Sequence, residues 1–209
     1  MRTLPLRVAV VLTLAAVLAP ASASAKPPGS PGSPVQPKPQ EAKEVQRLFE
    51  QPGFAGIVSA RNASVEEVSA LAAGAEGLSP AAAVARVTGA AVADASLLAT
   101  TSCRVVEYAT HRGVFPYHRW VSGQTYWCYY YGGSITYRAS STSARVDGVC
   151  SGSNARDWKV AGGAGYSWVI VHHEADFSCA TPWWYHLNDT LWMEAQFDSY
   201  GNAWLTRTS

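Results

Sequence analysis

The densest group of titratable side chains in this chain is His172-His173-Glu174-Ala175-Asp176. In an extended backbone alternate residues face the same way, so His172, Glu174 and Asp176 would share one face of a strand. An imidazole beside two carboxylates suits proton transfer, and the same donors suit a metal ion. One strand cannot complete a tetrahedral shell, and the spacing is not the helical H-E-x-x-H of zinc proteases. A partner such as His118, His186 or Asp189 would have to be brought close by folding. The ordinary account of such alternation is a solvated polar face, so no metal site and no cofactor is expected. Ser167, in Gly165-Tyr166-Ser167-Trp168-Val169, lacks the second glycine of a nucleophile elbow, and no helix follows it, which discounts a serine hydrolase. Neither a phosphate loop nor a dinucleotide fingerprint occurs.

The strand phases place aromatic rings beside these groups. In residues 166–177, Val169, Val171, Ala175 and Phe177 form the apolar set, and Cys179 continues it. The opposite set is Tyr166, Trp168, Ile170, His172, Glu174 and Asp176. In 191–198, Leu191, Met193, Ala195 and Phe197 point inward, while Trp192, Glu194, Gln196 and Asp198 point outward. In 125–131, Cys128 is taken as inward with Tyr126 and Tyr130, which leaves Trp127, Tyr129 and Tyr131 on the other side. The expected ligand face therefore comprises Trp127, Tyr129, Trp168, His172, Glu174 and Trp192. Exposed rings flanked by carboxylates, amides and histidine suit sugars, whose C–H faces stack on aromatics while their hydroxyls take hydrogen bonds. The competing expectation is that helices cover that face and make the rings structural, since large exposed apolar patches are uncommon.

The elements that position these residues follow from composition and spacing. All eight tryptophans, ten tyrosines and five histidines fall between Tyr108 and Trp204, and none occurs in 40–100. That step marks a boundary near residue 100, with an alanine-rich helical segment at 40–100 and a β domain at 101–209. In the helical segment, Val45, Leu48 and Phe49 repeat at helical spacing before Pro52-Gly53. Ser64-Val65-Glu66-Glu67 reads as a capping box, with Gly74 as terminator, and Ser79-Pro80 as a second helix start. Downstream, Gly132-Gly133 between 126–131 and 134–138 marks a tight hairpin. Further strands are expected at 105–110, 143–149, 166–177, 191–198 and 203–206. Six or seven short strands imply a mainly β fold, an antiparallel sandwich or partly closed barrel stapled by two disulfides.

Compartment follows from the N-terminus and the cysteines. Arg2 and Arg7, the apolar run 8–18 and Ala23-Ser24-Ala25 make residues 1–25 a signal peptide, and the Pro/Gly/Ser stretch 26–39 a linker. A secreted, extracellular product is expected, with no membrane association after cleavage. Removing Arg2 and Arg7 from 16 basic and 15 acidic residues leaves a formal net charge of −1. That balance argues against nucleic acid and against anionic membrane as partners. Cys103, Cys128, Cys150 and Cys179 are an even set without a C-x-x-C pair, so two disulfides are expected. If Cys128 and Cys179 face each other across the core, the bridges are Cys128–Cys179 and Cys103–Cys150; spacing alone leaves the other pairings open.

The motifs Tyr126-Trp127-Cys128-Tyr129, Gly132-Gly133-Ser134-Ile135-Thr136, Gly163-Ala164-Gly165-Tyr166-Ser167-Trp168 and Asp198-Ser199-Tyr200-Gly201-Asn202-Ala203-Trp204 resemble a loose group of small secreted β-rich proteins of actinomycetes. The resemblance covers residues 103–209, implies export and a β fold, and carries no catalytic residues. The function expected is a non-enzymatic extracellular module that binds a cell-wall polysaccharide or other glycan through its aromatic face. Two other classes stand beside it: a secreted hydrolase using the His172/Glu174/Asp176 region, and a secreted toxin or inhibitor with 40–100 as a removable pro-segment.

Overall fold

The computed structural model describes residues 37–90 and 100–209; the expected signal peptide and nearly all of the linker lie outside the described residues. Three helices, α1 (Pro39–Glu50), α2 (Val65–Glu76) and α3 (Pro80–Thr88), accompany eight strands among the described residues. The strands are β1 (Pro52–Ala63), β2 (Thr101–Arg112), β3 (Arg119–Tyr130), β4 (Ile135–Val146), β5 (Cys150–Gly162), β6 (Trp168–Ala180), β7 (His186–Asp198) and β8 (Ala203–Thr208).

The helix ends obey local chemistry. Ser64 caps α2 by accepting from the Glu67 amide at 3.1 Å, and Ser79 caps α3 by accepting from the Ala82 amide at 3.3 Å. Each hydroxyl satisfies a backbone donor that lacks an intrahelical partner. α2 runs past Gly74 and stops at Gly77, whose φ of 67° reaches the left-handed region that closes a helix.

The strands form two four-stranded antiparallel sheets, ordered β1-β2-β3-β4 and β5-β6-β7-β8. The expected antiparallel sandwich is therefore present, wound as an up-and-down meander in which sequence neighbours pair. β4 and β5 lie side by side without a ladder between them, at a seam unclosed except at its end, where Ile135 donates to the Tyr166 carbonyl and accepts from the Gly165 amide. β1 corrects the expected organisation. It comes from the stretch assigned to helix and pairs along β2 from Pro52↔Arg112 to Ala63↔Cys103. The fold thus runs across residue 100, and the composition step there is not a structural boundary. As an almost wholly exposed edge strand, β1 shows no in–out alternation to read.

Burial alternates along β6 and β7 as the phases require: Val169, Val171, Ala175, Leu191, Met193 and Phe197 are buried between the sheets. From the first sheet, Val106, Tyr108, Val121, Trp127 and Tyr129 meet them. Trp127 and Tyr129 are thus core residues, which removes them from the expected ligand face. The Trp127 ring lies 4.8 Å from that of Phe197, and its Nε1–H donates to the Asp198 carbonyl at 3.0 Å. The phase error has a clear cause. At this end the first sheet is covered on both faces, because α2 and α3 pack Val68, Ala72 and Val87 against Cys103, Cys128 and Tyr137. α1 seals the opposite end, where buried Arg119 donates to the carbonyls of Phe49 and Tyr117 and to Asp189 at 2.8 Å. Burial pulls the Arg119 pKa down, and the Asp189 carboxylate opposes that pull.

The disulfides also correct the expected pairing. They join Cys103 to Cys128 and Cys150 to Cys179, not Cys128 to Cys179 and Cys103 to Cys150. Each pair sits directly opposite on neighbouring strands, β2/β3 and β5/β6. The Cα atoms are 4.0 and 3.9 Å apart. Cys128 faces the helices on the outer side of the first sheet, whereas Cys179 packs near Phe49 and Tyr117. The two never meet.

Candidate functional site

The outer face of the second sheet gathers the titratable cluster. Register places Trp158 opposite His172, His172 opposite Glu194, and Glu174 opposite Trp192. The His172 ring stacks on Trp158 with centroids 4.2 Å apart and on Trp192 at 5.4 Å, with interplanar angles of 21° and 16°. Those separations bracket the spacing of neighbouring strands. The rings therefore stand on the sheet as a cross-strand ladder, Trp158–His172–Trp192, with their edges toward solvent.

A row of charges runs through the same ladder. His172 Nδ1 lies 3.2 Å from Glu194 and Nε2 lies 3.1 Å from Glu174. Only an imidazolium donates from both nitrogens, so these two carboxylates match the protonated ring. Arg156 closes on Glu174 from β5, and Arg207 Nε stands 3.9 Å from Glu194 on β8. Arg156, Glu174, His172, Glu194 and Arg207 thus form one polar row across all four strands. Asp176 lies one step along β6, where bonds from Asn154 and Thr190 hold its carboxyl below the usual range.

The sequence-expected residues divide cleanly. His172, Glu174 and Trp192 come together on this face, while Trp168 shares it four residues back along β6, half-buried beside Tyr166. His118, His186 and Asp189 do not converge on His172. His118 lies tilted against Trp120 of the first sheet, His186 pairs with Ser178, and Asp189 holds Arg119. Among the described residues, no group of three or more His, Cys, Asp or Glu is arranged to hold a metal ion. With both ring nitrogens engaged by carboxylates, His172 offers no free nitrogen to a substrate.

Four residues of the face were missed: Arg156 and Trp158 on β5, Trp204 and Arg207 on β8. β5 was not recognisable because its register shifts between Ser153 and Arg156, where Asn154 adopts a φ of 51°. A bulge of this kind breaks the period-2 signal. His173, next to His172, points the other way into the core. There it pairs with Thr142 at 2.7 Å and with the Tyr108 hydroxyl, which also meets Thr125 at 2.7 Å. Desolvation lowers the His173 pKa to about 4 and pushes the Tyr108 phenol up. This pair is a buried polar tie between the sheets and has no route to a ligand on the outer face.

No family model matches the chain, and neither a curated protein nor a solved structure matches it.

Proposed function

We propose that this protein is a secreted, non-enzymatic module that binds a cell-wall or other extracellular polysaccharide through the outer face of its second sheet. One observation carries the proposal: Trp158 stacks on His172 with one ring face and yet stays 41% exposed. The ladder behind it holds that ring upright, so a sugar can stack without first ordering the side chain. Arg156 and Glu174 stand beside it for hydroxyl recognition, and Trp204, 40% exposed on β8, offers a second ring on the same face. Two disulfides suit the oxidising compartment that export would supply.

The engagement of both His172 nitrogens speaks against a hydrolase at this cluster. The pairing of β1 with β2 speaks against removal of 40–100 as a pro-segment, since cleavage would bare the β2 edge. The test is co-sedimentation of the mature chain with insoluble peptidoglycan, chitin and cellulose. Retention on at least one polymer, lost in Trp158→Ala and weakened in Trp204→Ala, is expected. Passage through all three unretained, or retention unchanged in Trp158→Ala, would overturn the proposal.

A further inference from the structure

At the unclosed seam, the edge strands β4 and β5 turn charged side chains toward each other. Arg138 of β4 and Lys159 of β5 meet Arg86 of α3 around a cavity of about 240 Å³, also lined by Thr136, Tyr137, Gly163 and Ala164. The counter-charges are few. Arg86 Nε stands 3.2 Å from Glu76, and Arg138 Nη1 stands 3.9 Å from Asp157 and also meets Ser140. Lys159 forms no ion pair among the described residues. Each guanidinium carries five N–H donors, and Arg86 and Arg138 each commit one nitrogen to these partners. Three cations thus face two carboxylates, with donors to spare.

The glycine-rich turn shapes the rim: a Cβ at Gly163, whose φ is 110°, would stand 3.1 Å from the Lys159 Cδ. The lysine stem therefore lies across the turn and brings the ammonium to the cavity mouth.

We infer that this seam cavity binds a small anionic group, a carboxylate or a phosphate, held by Lys159, Arg86 and Arg138. The volume falls below that of a drug-sized pocket and suits one such group, as carried by an acidic sugar or a phosphate-bearing polymer. Planar arginine forks match the paired oxygens of both anions. The site lies apart from the Trp158 ladder and does not depend on stacking there.

The experiment is a titration of the full mature chain, followed through its backbone amide resonances, with sodium phosphate in one arm and sodium glucuronate in another. Sodium chloride at equal ionic strength and glucose serve as controls. Saturable shifts at Gly163 and Ala164 with either anion, absent from both controls, support the site. The phosphate arm alone responding assigns a phosphate group, and the glucuronate arm alone a carboxylate. Lys159→Gln removes an exposed ammonium with no ion pair and is expected to weaken binding roughly tenfold, as is Arg86→Gln. Equal shifts with chloride or glucose, no saturable shift with either anion, or titrations unchanged in both variants would overturn the inference. Phosphate has no ring to stack on Trp158, so its titration is read independently of polysaccharide retention.

Discussion

His172 and His173 are chain neighbours with opposite fates. One lies in a surface ladder among carboxylates, and the other sits between the sheets with hydroxyls for partners. The buried ring makes stability depend on pH. Its folded-state pKa of about 4 lies below the ordinary value of 6.5, so the folded protein holds it neutral where the unfolded chain takes up a proton. Stability is then full above pH 6.5 and falls as pH drops through that value to about 4, by about 3 kcal/mol in all. Urea melts at pH 7, 5 and 4 should show this loss, and His173→Gln should flatten it. A second contrast separates the tryptophans. Trp127→Ala, which empties a core position, should cost about 3–5 kcal/mol. Trp158→Ala, at the exposed β5 edge, should cost less than about 1 kcal/mol. Denaturant midpoints of the two variants check both values.

At the scale of elements, what was legible in the sequence is what alternates. β6 and β7 bury one clean apolar set each, so their phases and the grouping of Trp168, His172, Glu174 and Trp192 follow from spacing alone. β3 misleads because it is buried on both faces at Trp127–Tyr129, and a stretch covered twice carries no polar side to mark. β1 and β5 escape notice for the opposite reason: they are exposed edges with shifted registers. The missing β5 hid Trp158, the ring that matters most to the proposed site. The bridges followed the same rule. Inward phase does not set the pairing, because Cys128 faces helices, and non-reducing peptide mapping should recover Cys103–Cys128 and Cys150–Cys179. Replacing Cys150 and Cys179 together by serine should lower stability by about 3.5 kcal/mol in the loop-entropy picture.

For the whole molecule, β1 and the helices belong to the fold rather than precede it. A chain beginning at residue 101 would expose the β2 edge and the apolar ground under α2 and α3, where Val68, Ala72 and Val87 are buried. Size-exclusion chromatography should find that fragment aggregated while the mature chain elutes as a discrete species. The tryptophan-rich composition beyond residue 100 reflects where the sandwich has its interior, not where a second folding unit starts. The two sheets hold together through the Trp127–Phe197 core, the Tyr108–His173 tie and the Arg119 clamp, and no covalent bridge crosses between them.

That arrangement of bridges fixes how the protein would respond to force. Each disulfide closes a hairpin on itself, with sequence separations of 25 and 29 residues, and neither spans the two sheets. Pulled from its ends, the oxidised chain can part into its two sheets, but the segments inside the bridges stay out of the line of tension. At about 3.5 Å per residue, roughly 190 Å of contour is withheld until the bridges are reduced. Single-molecule stretching before and after a reductant should show the fully extended chain lengthen by about that amount. A protein so built would yield under load by a limited step and keep half its strands in closed loops.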